Sequence, residues 1–420
     1  MGLRHAGWAV LLGLVVGGAA RSVAQSQGVS PNDVVANLEQ CRVHKVTEFP
    51  GSHKFGSDYV ETIATDPAAA DADTIYGLTA DLSDAVPWAE RAMYISKSVD
   101  GGATWVEVAR LNGRYFDAAL GEGIFNGLAV APGATYFVVT TQRGAFQVFP
   151  QTPGTAAAIA RAIPGARVPD TPPKVHIAKR PGEPVRANVV AMTPDGKHMI
   201  VGYGYFDLEP KLHAYHLVAE AGGPGVWVDD GPLPAPPTEM DLLSAEFDDP
   251  AKAEPGFLYL GTGDQVYLLN LRTKHWSRLE GVGPDSAIHG MSVVGGLHLA
   301  ACWGIYYPTG PGMVRRVLNA SFLLHRSTDE TGSNLRTYSI DVDALRPERE
   351  VVSSLTGIYT SGDAGRTWTR VSGLPEEEFR TARFNPDGSV LVSGIAGTFL
   401  VNPFSDACAP KLKRRVRARR

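Results

Sequence analysis

Only three cysteines occur in the 420 residues, Cys41, Cys302 and Cys408, and none stands in C-x-x-C spacing, so a structural zinc site is not expected. The eleven histidines form no H-E-x-x-H or other metal-ligand spacing. No Gly-x-Ser-x-Gly nucleophile turn is present. The Gly-x-Gly pairs in "GYGYFDLEP" and "GTGDQ" open no helix, which removes dinucleotide binding. No metal and no cofactor are therefore expected. Beyond the first 24 residues, no apolar run is long enough to cross a membrane as a helix. Cys302, inside "LHLAACWGIYY", reads as a buried thiol.

Turn-forming residues are plentiful. The chain holds 46 Gly and 30 Pro, with 44% hydrophobic and 20% charged residues. That mixture can bury a large core and favours many short strands joined by tight turns over long helices. A closed β architecture of this length can be one domain.

Residues 1–24 read as a signal peptide: Arg4 and His5 open it, Trp8 to Val16 is apolar, and Ser22-Val23-Ala24 is a small-x-small cleavage site. An uncleaved anchor is the alternative. The expected destination is secreted, whether periplasm, cell surface or medium, and sparse cysteine fits an oxidising compartment. At the other end, "KLKRRVRARR" holds seven Lys/Arg and no acid, leaving 32 basic against 44 acidic residues in the rest. Residues 409–420 are thus a basic tail on an acidic body. The tail reads as an anchor for anionic surfaces, as a protease-trimmed end, or as a solvated end.

One eight-residue pattern, S-x-D-x-G-x-T-W, occurs twice. The first copy carries Ser98, Asp100, Gly102, Thr104 and Trp105; the second carries Ser361, Asp363, Gly365, Thr367 and Trp368. Each lies between two strand-like runs, so each is a hairpin turn in which Gly takes positive φ and Ser and Asp bond backbone amides. A third stretch from Arg326 keeps only Ser327, Asp329 and a displaced Gly332. The pattern resembles the Asp-box, or BNR repeat. That resemblance implies a hairpin between the third and fourth strands of a β-propeller blade, away from the ligand face; it implies fold and not activity.

Repeats elsewhere agree. Six segments, "DYVETIATDP", "IFNGLAVAPG", "RANVVAMTPDG", "MDLLSAEFDDP", "IHGMSVVGGL" and "FRTARFNPDG", each run into a Pro or Gly turn and a second apolar run. Six such four-stranded units form a propeller. The last unit lacks a fourth strand, and "CRVHKVTEF" near the amino terminus can supply it, closing the ring over residues 41–408 and protecting its edge. That closure brings Cys41 near Cys408, where a disulfide is expected; two free thiols or an intermolecular bridge are the alternatives. The fifth unit is too long, so either an insertion lies near 308–348 or "SFLLHRSTDE" and "RTYSIDV" begin a seventh blade; six is preferred. Asn319 heads a glycosylation pattern, Asn-Ala-Ser.

In a propeller the inner strand of each blade begins at one mouth of the channel. Counting back six residues from each turn gives Glu61, Asn126, Asn188, Ser244, His289 and Arg380, all polar, each preceded by an apolar residue. These six, with Asp58, Arg186, Glu239 and Asp241 on the approaching loops, form a candidate ligand-binding ring or only a wet channel.

Asp-box proteins include sialidases, whose resemblance implies an arginine triad, a Tyr–Glu pair and an Arg-Ile-Pro segment. Here the segment has only the near match Arg161-Ala162-Ile163-Pro164, and the mouth offers Arg186 and Arg380. Asp-box xyloglucan-cleaving enzymes imply two opposed carboxylates, for which Glu61, Glu239 and Asp241 are the candidates. The architecture also resembles sortilin-type receptors and photosystem assembly factors, which are binding propellers. The expected function is binding of a carbohydrate or protein ligand at the mouth, with glycoside hydrolysis as the alternative. A monomer with no nucleic-acid partner is expected.

Overall fold

Among the described residues, short apolar runs broken by Gly, Asp and Pro turns make 28 strands, arranged in this computed structural model as seven antiparallel four-stranded sheets. The structure describes residues 44–46, 60, 62–68, 73–80, 92–113, 115, 127–151, 160–166, 187–204, 210–249, 251–283, 286–302, 304–310, 313–319 and 336–405. Among them, the single helical turn is the 3-10 turn Pro132–Ala134.

Blade 1 comprises Thr62–Thr65, Ile75–Ala80, Ala92–Ser98 and Val106–Asn112, running from the innermost strand outward. Blades 2 to 6 span 128–162, 187–232, 242–278, 288–319 and 337–370 in the same up-and-down order. Blade 7 has three strands of its own, Phe379–Phe384, Val390–Gly394 and Gly397–Val401, and its outer strand is His44–Val46 from the amino-terminal side. His44, Lys45 and Val46 pair with Leu400, Phe399 and Thr398. The expected closure by "CRVHKVTEF" is therefore present.

The preference for six blades is corrected to seven. Residues 304–310 and 313–319 complete blade 5, and 337–370 form a full sheet of their own, so the excess length is an extra blade. Residues 1–24, Cys41, Cys408, the tail 409–420 and the stretch at Arg326 lie outside the described residues. Asn319 ends the outer strand of blade 5, and its side chain also lies outside them.

The ring is held by apolar clusters at the seams. Tyr76, Met93, Phe137 and Phe146 join blades 1 and 2; Tyr203, Tyr215, Trp227 and Val138 join blades 2 and 3. Leu242, Leu258 and Ile200 join the third and fourth blades, and Val266, Ile288 and Tyr306 the fourth and fifth. Trp368 packs with Ala300 and Ile305 of blade 5, and Phe379 with Val351 and Ile358 of blade 6. The last seam gathers Val46, Val60, Ile75, Trp105 and Leu391. Burying each face against a neighbour removes apolar surface that a single four-stranded sheet would leave wet.

The two repeated hairpins share one hydrogen-bond set. Ser98 Oγ donates to Asp100 Oδ1 at 2.7 Å and accepts from Gly102 N at 2.8 Å; Asp100 accepts from Thr104 N at 2.9 Å and from Thr104 Oγ1 at 2.6 Å. Trp105 Nε1 donates to Gly102 O at 2.8 Å. In the second copy the matching distances are 2.9, 2.8, 2.8, 2.6 and 3.1 Å. Each hairpin joins the third and fourth strands of its blade, and each Trp packs against the preceding blade. Thr367 bonding holds the Asp363 carboxyl below its ordinary range.

Candidate ligand-binding mouth

Backbone register breaks where the inner strands begin. In five blades one residue is skipped between the first and second strands: Asn188, Leu243, His289, Tyr338 and Arg380. Such a bulge turns a side chain out of the alternating pattern. The residue before each bulge, Ala187, Leu242, Ile288, Thr337 or Phe379, is at 0% exposure. The bulge thus separates a core position from a mouth position.

Of the residues expected at the mouth, Asn188, His289 and Arg380 occupy bulges. Ser244 does not: the bulge of blade 4 is Leu243, one residue earlier, and Ser244 Oγ donates to Ile288 O at 2.9 Å across the seam. Asn188 is buried, its Nδ2 donating to Gly204 O at 2.5 Å and Leu242 O at 3.3 Å. Glu239 is exposed and Asp241 half-buried just ahead of blade 4's inner strand. Glu61, Asn126, Arg186 and Asp58 lie outside the described residues. The extra blade adds Tyr338, which the six-unit alignment missed.

His289, Tyr338 and Arg380 come from three consecutive blades and touch. The Arg380 guanidinium lies over the Tyr338 ring, 4.4 Å from its centroid, and the His289 and Tyr338 rings are 5.5 Å apart at 48°. Glu378 forms an ion pair with Arg380 and a hydrogen bond with Tyr338. Arg336, one residue before blade 6's inner strand, is exposed and completes the group. Burial, with Arg336 and Arg380 nearby, lowers the His289 pKa to about 4, so its imidazole is neutral at pH 7. Burial also raises the thiol pKa of Cys302, whose Sγ is 3.4 Å from His289 Nε2. A neutral thiol beside a neutral imidazole is the reverse of an activated nucleophile pair.

No family model matches the chain, and no curated protein matches it. Two solved extracellular domains from B. thetaiotaomicron are similar in shape. One, from a protein described as a hybrid two-component system, gives a TM-score of 0.47 at 9% identity, covering 86% of this chain and 39% of that one. The other, from a protein described as a one-component system, gives 0.47 at 9%, covering 85% and 40%. The chain thus spans about two-fifths of the length of each.

Deeper in the channel stands a group that the sequence did not single out. Glu246, on the inner strand of blade 4, interacts with Arg383 and Asp341 of blades 7 and 6, which do not border blade 4, so they meet across the channel. Glu246 is solvent-accessible there, yet the walls strip away bulk water and push its carboxyl up to about 7, with Arg383 opposing and Asp341 reinforcing the shift. Arg383 also donates to Thr65 Oγ1 at 3.0 Å.

The folded protein therefore keeps a proton on Glu246 where the unfolded chain has released it. That contribution to stability is complete below the ordinary glutamate pKa and is lost as pH rises through about 7. His289 acts in the opposite sense, its contribution being present above the ordinary histidine pKa and lost as pH falls through about 4. Comparing wild type with Glu246→Gln isolates the carboxyl. In thermal unfolding, the Gln variant gains stability relative to wild type between about pH 5 and 8; a constant difference contradicts the assignment.

Proposed function

We propose that the protein is an extracellular binding propeller of the Asp-box kind, taking a carbohydrate or protein ligand at the mouth where the inner strands begin. The observation that carries this reading is the contact of His289, Tyr338 and Arg380 at three consecutive bulges, with Arg336 beside them. Arg380 is stacked on Tyr338 and braced by Glu378, so its remaining donors are ordered before a ligand arrives. Two arginines against one glutamate leave an excess positive charge, which suits a carboxylate or sulfate. A saccharide carrying such a group would use both the cation and the adjacent ring. The two matching hairpin hydrogen-bond sets support the Asp-box kinship, and residues 1–24 support export.

The test is a glycan array probed with residues 25–420, beside a chain ending at Pro410. Acidic glycans bound by both support the reading. Binding confined to neutral glycans, or lost with the tail, contradicts it, and no binding by either removes carbohydrate as the ligand.

A further inference from the structure

A cavity of about 310 Å3 opens on the face opposite the mouth, between blades 5 and 6. That is room for several waters, or for a short alkyl chain with one polar group. One of its polar side chains holds a register position that recurs in other blades. In blades 3, 4, 6 and 7 the fourth residue after the bulge pairs with a residue near the start of the second strand. Blades 3, 4 and 7 place Met199, Leu258 and Val390 there, all at most 2% exposed. Blade 6 places Glu350 there instead, at 0% exposure, and His298 of blade 5, at 9%, stands one register step away, opposite Ser292, the third residue after its bulge.

Burying a carboxylate is costly unless its oxygens are matched, and a break in an otherwise repeated core pattern marks a place shaped by something other than packing. Here the match is incomplete. Tyr307 donates its hydroxyl to Glu350 Oε2. His298 Nδ1 stands 3.9 Å from that oxygen, beyond hydrogen-bond length. Glu350 Oε1 has no hydrogen-bond partner among the described residues. Val294, Pro347 and Ala364 supply apolar wall, Glu348 adds a second acid, and no Lys or Arg is among the described lining residues.

We propose that this cavity binds a primary ammonium group on a short methylene stem. Glu350 Oε1 accepts from the ammonium, the rings of Tyr307 and His298 flank it, and Val294, Pro347 and Ala364 cover the stem. One unpartnered carboxylate oxygen suits an ammonium, a point donor; a guanidinium uses both oxygens of a carboxylate, and Tyr307 already holds the other. The ammonium belongs either to a free alkylamine or to a lysine side chain.

Saturation-transfer NMR on the full chain, with n-butylammonium, Nα-acetyl-lysine methylamide and Nα-acetyl-arginine methylamide as probes, tests this. Binding of butylammonium is expected, with the arginine probe at least about tenfold weaker. Binding of the lysine probe as well assigns the site to a side chain; its exclusion assigns it to a free amine. Glu350→Gln should weaken binding at least about tenfold. Val294→Trp, which fills the cavity and leaves Glu350 in place, should abolish it and serves even where Glu350→Gln does not fold. Equal binding of the arginine probe, binding retained in the folded variants, or no amine bound by wild type overturns the proposal.

Discussion

Gly102→Ala is expected to cost roughly 2–5 kcal/mol of stability, made of about 1–2 kcal/mol of backbone strain and about 1–3 kcal/mol of overpacking. Gly102 has φ +99°, and a Cβ there would stand 2.7 Å from Leu391 Cδ1 in the seam between blades 7 and 1. The seam has little room to yield, because Asn385 Nδ2 donates to the neighbouring Gly101 O at 2.7 Å and is itself buried. Gly222→Ala is the control. Its φ is +74°, but nothing lies within 4 Å of the added carbon, so only the backbone part applies. Urea unfolding of both variants checks this: the midpoint should fall further for Gly102→Ala with an unchanged slope. Equal losses would show that the hairpin does not press on the next blade.

Removing residues 1–50 is expected to open the ring. Val46, at 1% exposure, leaves the cluster of Val60, Ile75, Trp105 and Leu391. Losing that side chain alone costs about 1.5–3 kcal/mol. The greater effect is the bare edge of Gly397–Val401, whose unpaired amides and carbonyls become a template for another chain. Size-exclusion chromatography should therefore show oligomers or aggregate, together with a lower unfolding temperature. A synthetic peptide of residues 41–50, "CRVHKVTEFP", should restore a monomer by adding back as a strand. A truncated chain that stays monomeric and equally stable contradicts closure by this strand.

Much of the fold was legible because propeller geometry repeats itself in turn chemistry. Ser98 to Trp105 and Ser361 to Trp368 are local motifs whose hydrogen bonds close within eight residues, so their residue types suffice to place a hairpin. Blade count was harder. The second hairpin follows the third strand of its own blade, so it needs three strands before it, and residues 337–361 supply them. Another signal lay in the turns before third strands, where Gly144, Gly304, Gly357 and Gly397 all take positive φ. In "TQRG", "CWG", "LTG" and "IAG" that Gly follows a short turn, and counting them separates blades 5 and 6.

The mouth was legible only in part. Counting six residues back from a turn found Asn188, His289 and Arg380, whose blades share one spacing, but gave Ser244 where blade 4 bulges at Leu243. A one-residue difference in spacing exchanges a mouth position for a seam position. Polar residues that meet only across blades left no local trace at all. Glu246 and Arg383 stand on opposite parts of the ring, and His298 and Glu350 look like ordinary strand residues until the seam brings them together.

The most direct measurement is the affinity of the best-bound acidic glycan for wild type, Arg380→Ala, Arg336→Ala and Glu350→Gln, by calorimetry. Binding at the mouth predicts losses of about tenfold or more for each arginine variant, from removal of a charged hydrogen bond. It predicts no change for Glu350→Gln, which lies on the opposite face. Unchanged affinity in both arginine variants, or a loss confined to a Glu350→Gln chain shown to be folded, would contradict a ligand site at the mouth.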